Sequence, residues 1–282
     1  MPILLPLSIL YGVGMSIRRF ITRPKKFDIP IISVGNLIVG GSGKTPFVIA
    51  LASRYEEATI ISRGYGRLSK GFVEVSRDGQ ILCGVEASGD EAMLMARLLP
   101  NCSVIVCEDR EKAVTKAIND GARLIILDDG FNRVNIKKFE ILLESRIVSN
   151  SLPFPAGPMR EFAFSKKYAN LVLKEDVDFK RVVTFSNLRE KMLLITAISN
   201  PNRLIKYLPK GIIAKKILPD HSYFDEEMIL TLLRDSGADS LLVTQKDVVK
   251  IEQFMLPLSI MHLRLEIHRP ILKEIDEYIN LY

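Results

Sequence analysis

Cysteine is scarce in this protein of 282 residues, which has only Cys83, Cys102 and Cys107. The nearest two are five positions apart with no histidine beside them, which excludes a disulfide framework and a CxxC metal pair. So few cysteines are typical of a reducing, intracellular compartment. With 48% hydrophobic and 26% charged residues, the protein is neither disordered nor collagen-like, and it can form one large or two modest domains.

A hydrophobic run long enough to cross a bilayer, about 20 residues, is also lacking. The first 17 residues carry no charge, but Pro2, Pro6, Gly12 and Gly14 interrupt them. Basic residues follow this segment instead of preceding it, which is the reverse of a secretory signal, so export is not expected.

The same segment predicts an amphipathic helix, because apolar residues recur at helical spacing on one face and small residues line another. The apolar face comprises Ile3, Leu4, Leu7, Leu10, Tyr11 and Met15, and the small face comprises Ser8, Gly12 and Ser16. Two interpretations stay open: a helix lying in a membrane surface, and a first helix docked on the body of the protein.

Positive charge is concentrated just after this helix. The net charge is +6, and residues 1–30 account for +4 of it. A protein that binds nucleic acid is expected to spread basic residues over its body, so no nucleic-acid partner is predicted. Basic residues beside an apolar helix suit anionic headgroups at a membrane surface. They are Arg18, Arg19, Arg23, Lys25 and Lys26.

Beyond residue 28, apolar β-rich runs alternate with helical patterns, which predicts an α/β fold with a wound parallel sheet. Strands are predicted at Ile29–Val34, Ala58–Ser62, Ser103–Cys107, Arg123–Leu127, Phe139–Leu143, Ala169–Lys174, Met192–Ile198 and Ser240–Val243. Helices are predicted near Thr45–Tyr55, Asp90–Leu99, Arg110–Asn119 and Ile271–Leu281, and a hairpin over Phe72–Val75 and Gln80–Cys83.

The segment Val39–Thr45 follows the first strand and precedes a helix, which is the position of a phosphate-binding loop. Its small residues let backbone N–H groups surround phosphate oxygens, Lys44 can reach the β- and γ-phosphates, and the Thr45 hydroxyl can ligate Mg²⁺. We therefore predict binding of ATP or GTP. The nucleotide-binding residues are Ile38, which replaces the first Gly of the usual pattern, Val39, Gly40, Gly41, Ser42, Gly43, Lys44 and Thr45.

This loop and the Pro/Gly-rich stretch Pro153–Pro158 together define the predicted domains. Residues 1–28 form a membrane-surface helix with a basic segment. Residues 29–150 form a P-loop nucleotide-binding domain, and residues 151–282 form a second, smaller α/β domain.

Two pairs of acids are candidates for chemistry. Asp128 and Asp129 follow an apolar strand, where a P-loop protein places the carboxylate that holds Mg²⁺ or its water; a strand-terminal turn has the same residues. Asp90 and Glu91 open a helix, where acids also serve to stabilise an N-terminus.

His221, one of only three histidines, lies in a loop between a strand and a helix. As a single loop histidine it suits a surface position as well as a catalytic one. The loop Ser62–Arg67 offers Arg63, Arg67 and Tyr65 for phosphate or sugar contact, or for solvent.

In their order and spacing these motifs resemble the tetraacyldisaccharide 4'-kinase (lipid A 4'-kinase) family over nearly the whole sequence. Two departures are Asn132-Arg133, where the family has Gln-His after Asp-Asp-Gly-Phe, and Gln245, where it has Glu. The matching segments are Leu4–Gly12, Ser33–Leu37 with Gly40–Pro46, Ile61–Arg67, Gly89–Ala92, Asp109-Arg110, Leu127–Phe131, Pro155–Glu161, Asp220–Phe224 and Thr244–Asp247.

The resemblance implies transfer of the ATP γ-phosphate to the 4'-hydroxyl of a tetraacyldisaccharide 1-phosphate, giving lipid IVA at the cytoplasmic face of the bacterial inner membrane, to which the enzyme binds peripherally. It implies that Asp90 is the base and His221 its partner, with Lys44 and Arg110 also catalytic. It further implies Mg²⁺ ligation by Thr45, Asp128 and Glu91, and a substrate site lined by Arg63, Tyr65 and Asp129.

Two other classes share some of these features. A membrane-associated P-loop switch ATPase has a similar loop, but it needs a signature Lys where this sequence has Val39. A membrane-bound GTP-binding module needs an Asn-Lys-x-Asp motif, which the sequence lacks.

Overall fold

The structure, a computed structural model, describes residues 4–39, 43–145 and 150–282. Within these residues the helices are α1 (Leu5–Ile21), α2 (Lys44–Ala52), α3 (Val85–Ser88), α4 (Asp90–Leu98), α5 (Arg110–Asn119), α6 (Glu226–Ser236), α7 (Gln245–Ile251) and α8 (Arg269–Ile279). Short 3₁₀ helices lie at Ala163–Tyr168, Pro201–Tyr207 and Glu252–Phe254. The strands are β1 (Ile31–Gly35), β2 (Ala58–Ser62), β3 (Val73–Arg77), β4 (Gln80–Ile81), β5 (Ser103–Val106), β6 (Leu124–Asp128), β7 (Phe139–Glu144), β8 (Leu171–Lys174), β9 (Phe179–Ser186), β10 (Met192–Thr196), β11 (Ile212–Ile217), β12 (Ser240–Thr244) and β13 (Leu258–Ile267).

The larger sheet has eight strands in the described part of the protein, in the order β4-β3-β5-β2-β6-β1-β7-β8. The run from β5 to β8 is parallel, and the β3–β4 hairpin extends it antiparallel to β5. Helices α2, α4 and α8 cover one face and α5 the other, so the central strands are buried on both sides, as their continuous apolar runs require. The predicted α/β fold with a wound parallel sheet is confirmed.

The second sheet has five strands in the described residues, in the order β11-β10-β12-β13-β9. Of its three inner strands, β10 and β12 are largely buried and match predicted strands. The edge strands β9 and β11 were not predicted, because their side chains are only partly buried and charged residues interrupt them. Edge strands of this kind lack the long apolar run that marks a central strand.

The two sheets do not divide at residue 150. Strand β8 pairs in parallel with β7 and belongs to the first sheet. Leu265 of β13 and Ile275 of α8 lie in the same core cluster as Phe47 of α2. The residues after position 150 therefore contribute to both sheets. Strand β8 joins the first sheet, α8 packs against it, and β9 to β13 form the second sheet.

Helix α1 docks through its small residues. Ser8 is fully buried, and its Oγ accepts a hydrogen bond of 2.7 Å from the Ala156 N–H. Gly12 faces the Phe162 ring. The apolar face points outward, with Leu10 69% exposed and Phe20 87% exposed. Ile3, assigned to that face, lies outside the described residues.

A buried ion pair fixes the C-terminal end of α1. Arg19 Nη2 lies 2.8 Å from Glu161 Oε1 and also donates to the Phe131 carbonyl at 3.2 Å. None of the described helices combines the length and the apolar character needed to span a bilayer. The helix is therefore joined to the body along one stripe while its apolar stripe faces outward.

We predict that Gly12→Leu loosens α1, because a Cβ at Gly12 would lie 2.6 Å from the Phe162 ring. Such overpacking costs about 1–3 kcal/mol. Gly14→Leu is the matched control, since a Cβ there meets no heavy atom within 4 Å. Trypsin cleavage at Arg18 and Arg19 should become faster only in the Gly12 variant; equal rates in the two variants would contradict this docking mode.

Candidate active site

The phosphate loop follows β1 and is supported on one side by a segment that is distant in sequence. The Arg160 N–H donates to the Leu37 carbonyl at 2.7 Å, and the Val39 N–H donates to the Pro158 carbonyl at 2.9 Å. Gly40, Gly41 and Ser42 lie outside the described residues. Gly43 caps α2 with φ of 81°, a left-handed conformation that glycine adopts without strain.

Lys44 points into a polar cluster at the carboxyl ends of β1 and β6. Its Nζ donates to Asn36 Oδ1 at 3.1 Å and lies 3.5 Å from Asp129 Oδ1. Asp129 Oδ2 also accepts a hydrogen bond of 2.7 Å from Arg160 Nη1. Burial raises the pKa of Asp129, but the charges of Lys44 and Arg160 outweigh it and hold the pKa below its usual value. These contacts hold the lysine next to the loop.

Asp128, at the end of β6, has one satisfied and one unsatisfied oxygen. Ser62 Oγ donates to Oδ2 at 3.0 Å, whereas Oδ1 is buried without a hydrogen-bond partner among the described residues. Burial raises the pKa of Asp128 to about 7, and the negative charges of Glu91 and Asp129 add to the effect. A buried carboxylate oxygen without a donor is stabilised by a cation, so Asp128 fits a Mg²⁺ site.

Thr45 is buried at the start of α2, where its hydroxyl is the second predicted ligand. Glu91 is close enough for its charge to act on Asp128, and its Oε1 lies 3.5 Å from Lys246 Nζ. In the described part of the protein, His, Cys, Asp and Glu form no cluster of three or more suited to a metal. Mg²⁺ takes one or two carboxylates and completes its shell with phosphate oxygens and water, so a sparse set of ligands is sufficient.

Asp90 and His221, 131 residues apart in sequence, meet between the start of α4 and the loop that follows β11. His221 Nδ1 lies 3.2 Å from Asp90 Oδ2. Asp90 begins α4 directly after Gly89, whose φ is 82° and where a Cβ would lie 2.7 Å from the Tyr65 carbonyl oxygen. Glycine at this position therefore brings the start of α4 against the Ser62–Arg67 loop. The Tyr65 ring lies 5.2 Å from the His221 ring.

A third residue reaches the same carboxylate. Lys250 Nζ, on α7, lies 3.0 Å from Asp90 Oδ2. Burial raises the pKa of Asp90, but the hydrogen bonds from His221 and Lys250 outweigh it, so the pKa lies below its usual value and the carboxyl is ionised. Lys250 was not predicted from the sequence, and neither were Arg160 and Asn36; the only signal for Lys250 was a lone charge within the apolar run from Val248 to Ile251.

Arg110 lies in the interior beneath the site. Its guanidinium donates to the Cys107 carbonyl and, at 3.4 Å, to the Asp128 carbonyl, and burial lowers its pKa to about 10. It joins the ends of β5 and β6. Burial also lowers the pKa of Arg133, and the positive charges of Arg63 and Arg18 lower it further.

A parallel sheet with a lysine-bearing loop after β1 and a buried carboxylate at the end of β6 defines a P-loop nucleotide-dependent enzyme. The family model for tetraacyldisaccharide-1-P 4'-kinase, LpxK, matches residues 1–280. The chain belongs to this family.

Individual relatives agree with the family match. The chain is 47% identical to the tetraacyldisaccharide 4'-kinase of Helicobacter pylori (strain HPAG1) over 99% of its own length and 89% of the relative's. It is 45% identical to the enzyme of that name from Aliarcobacter butzleri, over 99% of its own length and 92% of the relative's. A crystal structure of LpxK from Aquifex aeolicus in complex with ATP superimposes with a TM-score of 0.82 at 29% identity, covering 98% of both proteins.

The predicted function is thereby confirmed: the protein is an ATP-dependent kinase that phosphorylates a lipid A precursor at the 4' position. The predicted cofactors, ATP and Mg²⁺, are those of the family. Neither rival class, the switch ATPase nor the GTP-binding module, is supported.

We predict that Lys44→Ala abolishes phosphoryl transfer and leaves the fold intact, because it removes a cation from the phosphate loop and no core side chain. The loss should be about a hundredfold or more in rate. Steady-state assays with ATP and the acylated disaccharide 1-phosphate measure it. Lys112→Ala, an exposed change on α5, is the control; near-normal turnover by the Lys44 variant would contradict the nucleotide site.

Proposed function

We propose that Asp90 is the general base of this 4'-kinase and that His221 is its partner. The acceptor oxygen forms a bond to the γ-phosphorus of ATP, while the bond from that phosphorus to the bridging oxygen breaks and its electron pair leaves with ADP. The proton of the 4'-hydroxyl passes to the Asp90 carboxylate and is shared with the His221 imidazole. The contact between Asp90 and His221 carries this assignment.

The geometry supports these roles in three ways. Among the described residues, His221 and Lys250 are the hydrogen-bonding partners of the Asp90 carboxylate. Both contact Oδ2, which leaves Oδ1 for an acceptor hydroxyl. The carboxyl is ionised, as a base must be. His221 has φ of 61°, and residues held in this unfavourable conformation cluster at functional sites.

Lys44 and the phosphate loop hold the phosphates of ATP, and Asp128 with Thr45 would hold Mg²⁺. When bound, Mg²⁺ neutralises charge on the phosphate oxygens. Asp129 was predicted to line the substrate site, but its oxygens face Lys44 and Arg160. We therefore propose that Asp129 orients Lys44. We propose that Arg63 and Tyr65 contact the sugar beside His221.

We further propose that α1 lies in the surface of the membrane that holds the acylated acceptor, at the cytoplasmic face of the bacterial inner membrane. The outward apolar face of α1 continues onto Phe154, which is 55% exposed and meets Tyr11 edge to face at 6.1 Å between centroids. Basic residues at the end of the helix would meet anionic headgroups. The acceptor carries four acyl chains and stays in the bilayer, so the enzyme must bind there.

We predict that Asp90→Ala and His221→Ala each lower kcat strongly with little change in the KM for ATP. Because the two residues act on one proton, the double variant should lose less activity than the product of the single losses. Steady-state kinetics of the four proteins measure this. Losses that multiply would show that the two residues act independently.

We predict that Leu10→Glu and Phe20→Glu abolish binding to anionic vesicles without lowering the melting temperature, because both side chains face outward. Charge reversal at Arg18 and Arg23 should weaken vesicle binding most at low salt. Sedimentation with vesicles at two salt concentrations measures both effects. Met255→Glu, at a site 92% exposed in the loop before β13, is the control; unchanged sedimentation of the α1 variants would rule out this surface.

A further inference from the structure

Lys250 is a buried cation at the contact between the two halves of the site. Its side chain is 1% exposed, and it extends from α7 toward the start of α4. Two further ion pairs lie beside this contact: Lys246 of α7 pairs with Glu91 of α4, and Arg97 of α4 pairs with Glu252, in the 3₁₀ helix that follows α7. A buried ion pair is weak evidence for stability, because an apolar side chain of similar volume packs as well without losing hydration. Packing alone therefore does not explain why a lysine occupies this buried position.

The Lys250 ammonium contacts both sides of the proposed catalytic pair. Lys250 Nζ lies 3.0 Å from Asp90 Oδ2 and donates to the Ser222 carbonyl at 2.9 Å. Ser222 adjoins His221, so one ammonium binds the base and the loop that carries its partner. The Phe224 ring, 5.3 Å from Nζ, covers the cation on another side.

The helix that presents Lys250 is fixed to the strand that supports His221. The buried Asp247 accepts hydrogen bonds of 2.7 Å from Thr244 Oγ1 and from Thr196 Oγ1, and one of 3.0 Å from the Ala197 N–H. The Ala197 carbonyl in turn accepts from the His221 N–H at 3.2 Å. Lys250 and His221 are thus both tied to the end of β10, while Asp90 begins α4, which packs on the first sheet.

We propose that Lys250 is a positioning residue for phosphoryl transfer: it fixes Asp90 Oδ2 and the Ser222 carbonyl together, and so sets the contact between Asp90 and His221. This rests on the proposed role of that pair. Lys250 touches neither ATP nor the acceptor in this mechanism, and its effect on the rate passes through Asp90.

The test is a double-mutant cycle with Lys250→Met in the wild-type and Asp90→Ala backgrounds. Arg97→Met is the matched control, because it removes a neighbouring ion pair between α4 and the 3₁₀ helix after α7. Lys250→Met should lower kcat about tenfold or more with the KM for ATP within about twofold, and should lower the residual rate of Asp90→Ala less than about twofold. Arg97→Met should leave kcat near wild type. Equal factors in both backgrounds, or a wild-type kcat in Lys250→Met, would overturn the proposal.

A second readout does not depend on turnover. The protein has three histidines, so NMR signals of the His221 ring can be compared with those of His262 and His268. Among the three histidines, Lys250→Met should shift only the His221 signals. Lys250→Gln keeps an N–H donor and should shift them less. It is measured alongside in case the Met variant does not fold. Unchanged His221 signals in a folded variant would overturn the proposal. This readout needs no acceptor, so it separates failure of the positioning role of Lys250 from failure of the roles proposed for Asp90 and His221.

Discussion

The parallel pairing of β1 with β6 is the constraint on which the site depends. Its register sets Val34 opposite Asp128, so the phosphate loop and the buried carboxylate leave the sheet at the same edge. The Asp129 N–H continues the ladder onto the Val34 carbonyl at 2.9 Å, which turns the next carboxylate toward Lys44. A slip of one residue would send Asp128 to the other face of the sheet. The nucleotide side of the site follows from this backbone pairing.

The acceptor side is built differently, from side chains that meet between two sheets. Asp90 begins α4, which packs on the first sheet, whereas His221 follows β11 and Lys250 lies on α7, both beside the second sheet. The proposed base, Asp90, therefore meets its partners only where α4 and α7 are in contact. Such an arrangement suits a kinase, because closure around both substrates excludes the water that would otherwise accept the phosphoryl group.

The sequence pattern predicted those features that a short stretch of residues determines by itself. The central strands have continuous apolar runs, and the phosphate loop has its small residues and lysine within seven positions, so both could be identified directly. The edge strands β9 and β11 could not, because half-exposed strands carry mixed residues. For α1, the two stripes were visible, but only the structure shows that the small stripe docks and the apolar stripe faces outward. The contact of Asp90 with His221 was expected from family resemblance alone. Lys250 was not predicted, because its partner Asp90 lies 160 residues away in sequence.

Product analysis of the reaction tests the central claim most directly. The enzyme is incubated with ATP, Mg²⁺ and the acylated disaccharide 1-phosphate, and the lipid is examined by mass spectrometry with fragmentation between the two sugars. The mechanism predicts one added phosphate on the sugar that bears the 4'-hydroxyl, with one ADP released for each. Release of ADP with the lipid unchanged, or a phosphate added to the other sugar, would contradict it.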